Sequence, residues 1–286
     1  MDNKYIIITP FKNEEENIEG TIKSIIAQSI KPISWILIDD GSNDNSLNIV
    51  NRYKKKFSWI QVEKNDSYIN DKGARIAAMI NDFSNHDKID FLCKIDADVS
   101  FNHNFCENMI NYMNSNKKLG ICSGTLIYND KIERPVFSDL TRGATKFYNY
   151  KCFKDINGLL ESTGWDTIDN ISAQYKGWET KVLPIYFKHN KAEGISLGWY
   201  QRYYQSGKYF GSIPYPFYYL LMRCAFRIFN YPPIISQLVV INGFLFSKYG
   251  KKKYLLSNDL RLFFNRRIKE RLKEKIKNVW HIGHNQ

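Results

Sequence analysis

The sequence predicts an α/β protein: a mixed, mostly parallel sheet flanked by helices, followed by a C-terminal helical extension. Three observations carry that prediction. Short apolar, β-branched runs alternate with segments of helical period through the first half of the 286-residue chain. Two acidic clusters, Asp39-Asp40 and Asp96-Ala97-Asp98, directly follow such runs. Beyond about residue 200 the pattern changes to aromatic and basic segments of helical character. Repeated strand–helix–strand units on short connections build a sheet covered by helices. Ligands of such sheets collect at the carboxyl ends of the strands, where both acidic clusters fall.

The elements follow in order. Tyr5-Ile6-Ile7-Ile8-Thr9 has the continuous apolar character of a strand buried on both faces. Asn13 is placed to cap the next helix, with Glu16 three residues later as in a capping box. Ile18, Ile22, Ile25 and Ile26 then recur at helical spacing. Strands are expected at 35–38, 59–62, 91–95 and 119–128, with helices around Ile49-Val50, over 74–83 and over 104–113. A further helix is expected from Trp165 to about Gly177. A basic helix over about 258–277 would place Leu260, Phe263, Phe264, Ile268, Leu272 and Ile276 on one side. The expected division is a nucleotide-binding and catalytic domain over 1–200 and an aromatic, basic extension over 201–286.

Composition narrows the class. Hydrophobic residues are 43% and aromatics 15%, enough for a sizeable core. The formal charge is +12, concentrated in 248–277, where twelve Lys/Arg face three Asp/Glu. Such a tail suits anionic headgroups, nucleic acid or a solvated helix, and charge alone does not choose. Cys93, Cys106, Cys122, Cys152 and Cys224 are odd in number and lack a CxxC pair, so free thiols in a reducing compartment are expected. A polar Met1-Asp2-Asn3-Lys4 start predicts no secretory leader. No run reaches the roughly 20 apolar residues of a spanning helix.

Two carboxylates at i and i+2 past a strand end, as in Asp96-Ala97-Asp98, repel each other unless a cation or hydrogen bonds offset them. A hard divalent ion, Mn²⁺ or Mg²⁺, would do so while leaving positions for phosphate oxygens. The competing reading is a surface loop with two solvated aspartates.

Context favours the first. Thr9-Pro10-Phe11-Lys12-Asn13-Glu14-Glu15, Ile38-Asp39-Asp40-Gly41-Ser42-Asn43-Asp44 and Lys94-Ile95-Asp96-Ala97-Asp98, in that order after successive strands, resemble the family 2 glycosyltransferases of GT-A fold. The resemblance covers roughly 4–195. It implies that Thr9, with Pro10 and Phe11, lies at the nucleobase, commonly uridine, whose imide proton Asp40 accepts; Glu14 lies near the same pocket. It implies that Lys72-Gly73-Ala74-Arg75 supplies a basic residue near the donor diphosphate or base. It implies metal ligation by Asp98 and Asp96, with His189 as a third ligand. Gly164-Trp165-Asp166-Thr167-Ile168-Asp169, followed by Gly177-Trp178, resembles the acceptor-side motif, with Trp-Asp in place of the usual Glu-Asp. Alignment on Gly177 puts Asp166 at the general base, with Asp169 one turn on as the alternative.

The resulting expectation is an inverting, metal-dependent enzyme. It would move a sugar from a nucleotide diphosphate donor, UDP-linked by preference, to a saccharide or lipid-linked acceptor in cell-surface polysaccharide synthesis. A cytoplasmic, peripheral placement on the inner face of the cell membrane is expected through 214–277, where aromatics mix with Arg223 and Arg227. A homo-oligomer is the alternative use of that surface. A nucleotidyltransferase would carry a Gly-rich basic loop after the first strand, but 9–16 is acidic and lacks Gly. A nucleic-acid-binding protein would leave the ordered acidic motifs without a role, so no nucleic-acid partner is expected.

Overall fold

The structure is a computed structural model that describes residues 3–86, 88–128, 131–133, 135, 137–190, 198–249 and 256–283. In chain order the elements are β1 (Tyr5–Phe11), α1 (Ile18–Ile26), β2 (Ser34–Asp39), α2 (Ser46–Lys54), β3 (Ile60–Lys64), α3 (Lys72–Phe83) and β4 (Phe91–Ile95). There follow β5 (Val99–Phe101), α4 (Phe105–Ser115), β6 (Leu119–Tyr128), β7 (Lys131–Ile132), β8 (Thr145–Asn149), α5 (Tyr150–Asp155), α6 (Trp165–Tyr175) and β9 (Glu179–His189). The chain ends in α7 (Trp199–Ser212), α8 (Phe217–Phe226), α9 (Ile235–Tyr249) and α10 (Asn258–Gly283).

The strands form one sheet in the order β3-β2-β1-β4-β8-β6-β9-β5, with β7 on β6. Ladders are parallel through β3, β2, β1 and β4 and again between β6 and β9; β8 runs antiparallel between β4 and β6, and β5 antiparallel to β9. Successive strand side chains point to opposite faces, so β1 feeds two cores. Tyr5, Ile7 and Phe11 pack with Ile18, Ile22 and Ile25 of α1, whereas Ile6 and Ile8 pack with Ala77 and Ile80 of α3. Coverage on both faces is why this strand is apolar throughout rather than alternating. Ile7→Ala would open a cavity under α1 and destabilise by about 2–5 kcal/mol.

Two expectations about local structure are corrected. Helix α1 starts at Ile18, not after Asn13, and its first residues are uncapped by any side chain. Asn13 instead has φ 54° and gives its side chain to the neighbouring loop. Strand β8 was not among the expected strands; its Lys146 is fully buried and paired. All five cysteines are free and buried.

The chain divides into two compact units, Met1–Glu193 and Gly194–Gln286. In the second, α7 and α9 pack backbone to backbone through glycines: a Cβ at Gly207 would sit 2.1 Å from the Val240 carbonyl oxygen, and one at Gly243 2.3 Å from that of Tyr204. Leu220, Cys224, Val240 and Phe244 form a small core between α8 and α9. In α10, Phe264 and Ile268 are buried. Residues 250–255 of the basic stretch, and the side chains of Leu272 and Ile276, lie outside the described set.

Candidate active site at the carboxyl ends of the strands

The parallel order β2-β1-β4 brings the first three motifs to one edge of the sheet. Phe11 is level with Asp39 and Ile8 with Lys94, so the chain leaves these three strands at nearly the same height. Asp40 and Asp96 therefore flank the end of β1, two strand spacings or about 10 Å apart.

The loops after β1 and β2 hold each other. Asn13 N donates to Ser42 Oγ (3.1 Å), Glu14 N to Ser46 Oγ (2.8 Å) and Glu15 N to Asp44 Oδ2 (3.0 Å). In return Asn43 N donates to Asn13 Oδ1 and Asn45 N to Glu15 Oε2, each at 2.9 Å. Backbone N–H groups that a loop would leave to water are here satisfied by the neighbouring loop. The Glu14 carboxylate accepts from Asn17 Nδ2 (2.9 Å) beside the same loops.

Asp40 sits just past β2, its backbone N–H on the Phe11 carbonyl (2.8 Å). Arg75 Nε reaches both its oxygens, at 2.8 and 2.9 Å, and Asn65 Nδ2 donates to Oδ1 (2.7 Å). A carboxylate has about four acceptor positions, so Oδ2 keeps room for one more donor. Arg75 thus stands on the Asp40 side of the cleft. Lys72 is exposed at the start of α3. Gly73 packs closely against the turn before α6: a Cβ there would lie 2.8 Å from the Thr163 Cα. Asp71 caps α3 through Ala74 N (2.9 Å) and also accepts from Thr163 Oγ1 (2.7 Å). The start of α3 is thereby fastened to the turn that leads into α6.

Beyond β4 the two carboxylates diverge. Asp96 takes the buried ammonium of Lys94, which also donates to the Gly143 carbonyl (2.8 Å). A lysine with a side chain only 5% exposed needs a counter-charge, and Asp96 supplies it. Asp98 faces His189, with Oδ2 3.4 Å from Nδ1, because the β5–β9 pairing sets Val99 opposite His189. Burial pushes the Asp98 carboxyl up, but the hydrogen bond and charge of His189, aided by Lys94, bring it below the usual range.

No group of three or more His, Cys, Asp or Glu among the described residues is arranged to hold a metal ion. The Asp98–His189 pair is a donor set of one carboxylate and one imidazole. It fits a magnesium- or manganese-type ion that takes one or two protein ligands and fills its remaining positions with water and phosphate oxygens.

Helix α6 opens with two aspartates of opposite character. Asp166 is half-buried, and a Cβ at Gly143 would lie 3.6 Å from its Oδ2. The same short segment borders Asp96, whose N–H donates to the Ala144 carbonyl (2.9 Å). Among the described residues nothing donates to the Asp166 carboxylate, while its backbone carbonyl accepts from Lys146 Nζ (2.5 Å) and Asn170 Nδ2 (2.7 Å). Asp169, the alternative base, is 2% exposed. Its oxygens accept from Lys146 (2.5 and 2.6 Å) and Tyr148 (2.6 Å). Burial pushes its carboxyl up to about 6, against the opposing pull of Lys146, and pushes the Lys146 ammonium down. Trp165 covers both buried ammonium groups, 5.7 Å from Lys94 and 5.5 Å from Lys146.

Of the residues expected in the site, Asp40, Arg75, Asp96, Asp98, His189, Glu14 and Asp166 gather at this edge. Thr9 and Phe11 do not present side chains to it. Thr9 is fully buried and accepts from the Trp35 indole N–H (3.0 Å), and Phe11 belongs to the α1 core; Pro10, pointing the other way, is partly exposed. Lys94, Lys146 and Tyr148 were missed. A lysine in the middle of an apolar strand, as in Phe91-Leu92-Cys93-Lys94-Ile95, was the available signal.

Residues 6–173 match the model of the family described as Glycosyl transferase family 2. A UDP-Glc:alpha-D-GlcNAc-diphosphoundecaprenol beta-1,3-glucosyltransferase, WfaP of Escherichia coli, is 30% identical over 69% of this chain and 75% of its own. A cholesterol galactosyltransferase of Borreliella burgdorferi is 25% identical over 73% of this chain, which spans only 63% of that protein's length. Among solved structures, a mannosyltransferase of Pyrobaculum calidifontis in complex with GDP-Man and Mn²⁺ superposes with a TM-score of 0.63 at 13% identity, over 87% of this chain and 88% of that one. The strand order and these likenesses give a GT-A-like fold. With its motifs at the ends of adjacent parallel strands and the family pattern matched from 6 to 173, the chain belongs to the family 2 glycosyltransferases.

Proposed function

We propose that the chain transfers a sugar, with inversion, from a nucleoside diphosphate sugar to a hydroxyl of a lipid-linked saccharide at a membrane surface. The observation that carries the assignment is the contrast at α6. Asp166 is held by its backbone with its carboxylate uncommitted, while Asp169 is buried on Lys146 and Tyr148. Asp166 is then the group that takes the acceptor proton as the oxygen attacks the anomeric carbon, and Asp169 positions it through Lys146.

On the donor side, Asp40 accepts the imide N–H of the base on its remaining lone pair, held in place by Arg75 and Asn65. Asp98 and His189 hold the divalent ion, whose contribution when bound is to offset charge on the departing diphosphate. Lys94 pairs with Asp96 and orients it at the strand end. A uridine donor is favoured by the Asp40 site, by the UDP-Glc-dependent WfaP and by a Staphylococcus aureus TarS structure in complex with UDP-GlcNAc; the latter superposes with a TM-score of 0.54 over 87% of this chain and 73% of that one, at 15% identity. WfaP also names a diphosphoundecaprenol acceptor, which motivates the lipid-linked class and a cytoplasmic, inner-face site of action.

Calorimetry with UDP-, GDP- and CMP-sugars, with and without Mn²⁺, tests the donor half. Metal-dependent binding of a UDP-sugar is expected, abolished in Asp98→Ala. Binding that is unaffected by a chelator sinks the metal assignment.

A further inference from the structure

The second unit carries the most exposed large apolar side chains outside the N-terminal half, and they cluster at one turn. Phe226 at the end of α8 is 87% exposed, and Phe229 and Tyr231 in the connection to α9 are 89% and 79% exposed. Ile234, Ile235 and Leu238 continue the exposed set into α9. The turn is nevertheless built. Asn230 N donates to the Arg227 carbonyl (2.9 Å), Ile234 N to that of Ile228 (2.8 Å) and Ser236 Oγ to that of Asn230 (3.0 Å). Its backbone is satisfied internally while its side chains face outward, the inverse of a normal water-facing turn.

Charge selects the occupant. From Gly194 to Asn258 the sequence holds eight Lys/Arg and no Asp or Glu. Arg223 and Arg227 bracket the approach to the turn, Arg223 lying over Phe210 at 4.8 Å. A second copy would bring the same positive patch against itself, which is unfavourable. A nucleic acid would answer the charge and could stack on the aromatics, but not the aliphatic Ile234, Ile235 and Leu238. An anionic bilayer answers both, with aromatics at the interface and arginines at the phosphates. No helix among the described residues is long and apolar enough to cross a membrane, and exposed aromatics beside arginines are the composition that suits the interface plane.

We propose that the α8–α9 turn, through Phe226, Phe229 and Tyr231 with Arg227 beside them, inserts into the headgroup region of an anionic lipid bilayer. This rests on, and narrows, the reading of a membrane-borne acceptor. The test is co-sedimentation of the full chain with vesicles of phosphatidylcholine alone or with about 30% phosphatidylglycerol, at low and high salt. The wild-type chain should bind the anionic vesicles. The triple variant Phe226→Ser/Phe229→Ser/Tyr231→Ser should bind them about tenfold or more weakly. Arg227→Gln should lose about fivefold on anionic vesicles and nothing on neutral ones. A Phe229→Trp variant should show fluorescence quenching by brominated lipid beyond that of the wild type.

Donor calorimetry on each variant reports folding and the transferase reading separately. Vesicle binding without nucleotide-sugar binding upholds the turn and sinks the transferase. A serine variant that binds like wild type, or a wild-type dimer dissolved by the serine substitutions, overturns the proposal.

Discussion

The donor-facing loops and the start of α6 solve the same problem in opposite ways. After β1 and β2, loop side chains satisfy each other's backbone over short distances, the half-buried Ser42 serving Asn13 and the buried Ser46 serving Glu14. Under α6 a fully buried cation, Lys146, reaches from β8 to fix both the Asp166 carbonyl and the Asp169 carboxylate. The first arrangement is many modest bonds in a wet setting, each worth about 0.5–1.5 kcal/mol. The second is a few bonds at low dielectric, where losing one partner leaves a charge stranded. The comparison predicts that the loops after β1 and β2 tolerate single changes and that the start of α6 does not.

The largest effect should come from separating the two aspartates of α6. Asp166→Asn should lower transfer by about a thousandfold with donor affinity unchanged, measured by product formation and calorimetry. An active Asp166→Asn enzyme reassigns the base. Lys146→Met should cost about 3–5 kcal/mol in denaturant unfolding, since Asp169 is then buried without its counter-charge. Its pH dependence sharpens the point. Without the ammonium, the Asp169 carboxyl rises further above its unfolded value, so the folded state keeps a proton that the unfolded chain releases. Stability of the variant should therefore fall as pH is raised from about 4 towards neutrality, more steeply than in the wild type. A flat profile would mean the pair is not what holds the helix.

On the donor side the changes are smaller. Asp40→Asn loses a charge-assisted bond to Arg75 and the base, about 1.5–3 kcal/mol, and should raise the donor KM about tenfold to a hundredfold with kcat nearly kept. Ser42→Ala removes one acceptor between the laced loops at a half-buried position and should cost about 1 kcal/mol or less in stability, read from the thermal midpoint. If Ser42→Ala proved as damaging as Lys146→Met, the contrast between the two regions would fail.

What was legible follows from the same contrast. Asp40, Asp96 and Asp98 stand directly after apolar runs, so their place at strand ends could be read from neighbours in sequence. The role of Thr9 could not, because its hydroxyl is turned to Trp35 by strand alternation, and only the burial of both faces reveals that. Asn13 read as a helix cap because Glu16 stood at the right spacing; the loop partner that claims it, Asn43, is thirty residues away. The strand over 91–95 was legible with Lys94 inside it, but the roles of Lys94 and Lys146 were not, since a buried lysine is intelligible only with its counter-charge in view.

By itself the sequence determined the alternation of strands and helices, the acidic ends of the strands and the basic, acid-free stretch after Gly194, because each depends on residue type and local period. Only the tertiary structure decided which carboxylates are free and which are spent on buried lysines. That choice depends on groups that β8 and the 141–144 segment carry into the sheet from far along the chain, and on the desolvation that makes their pairing obligatory.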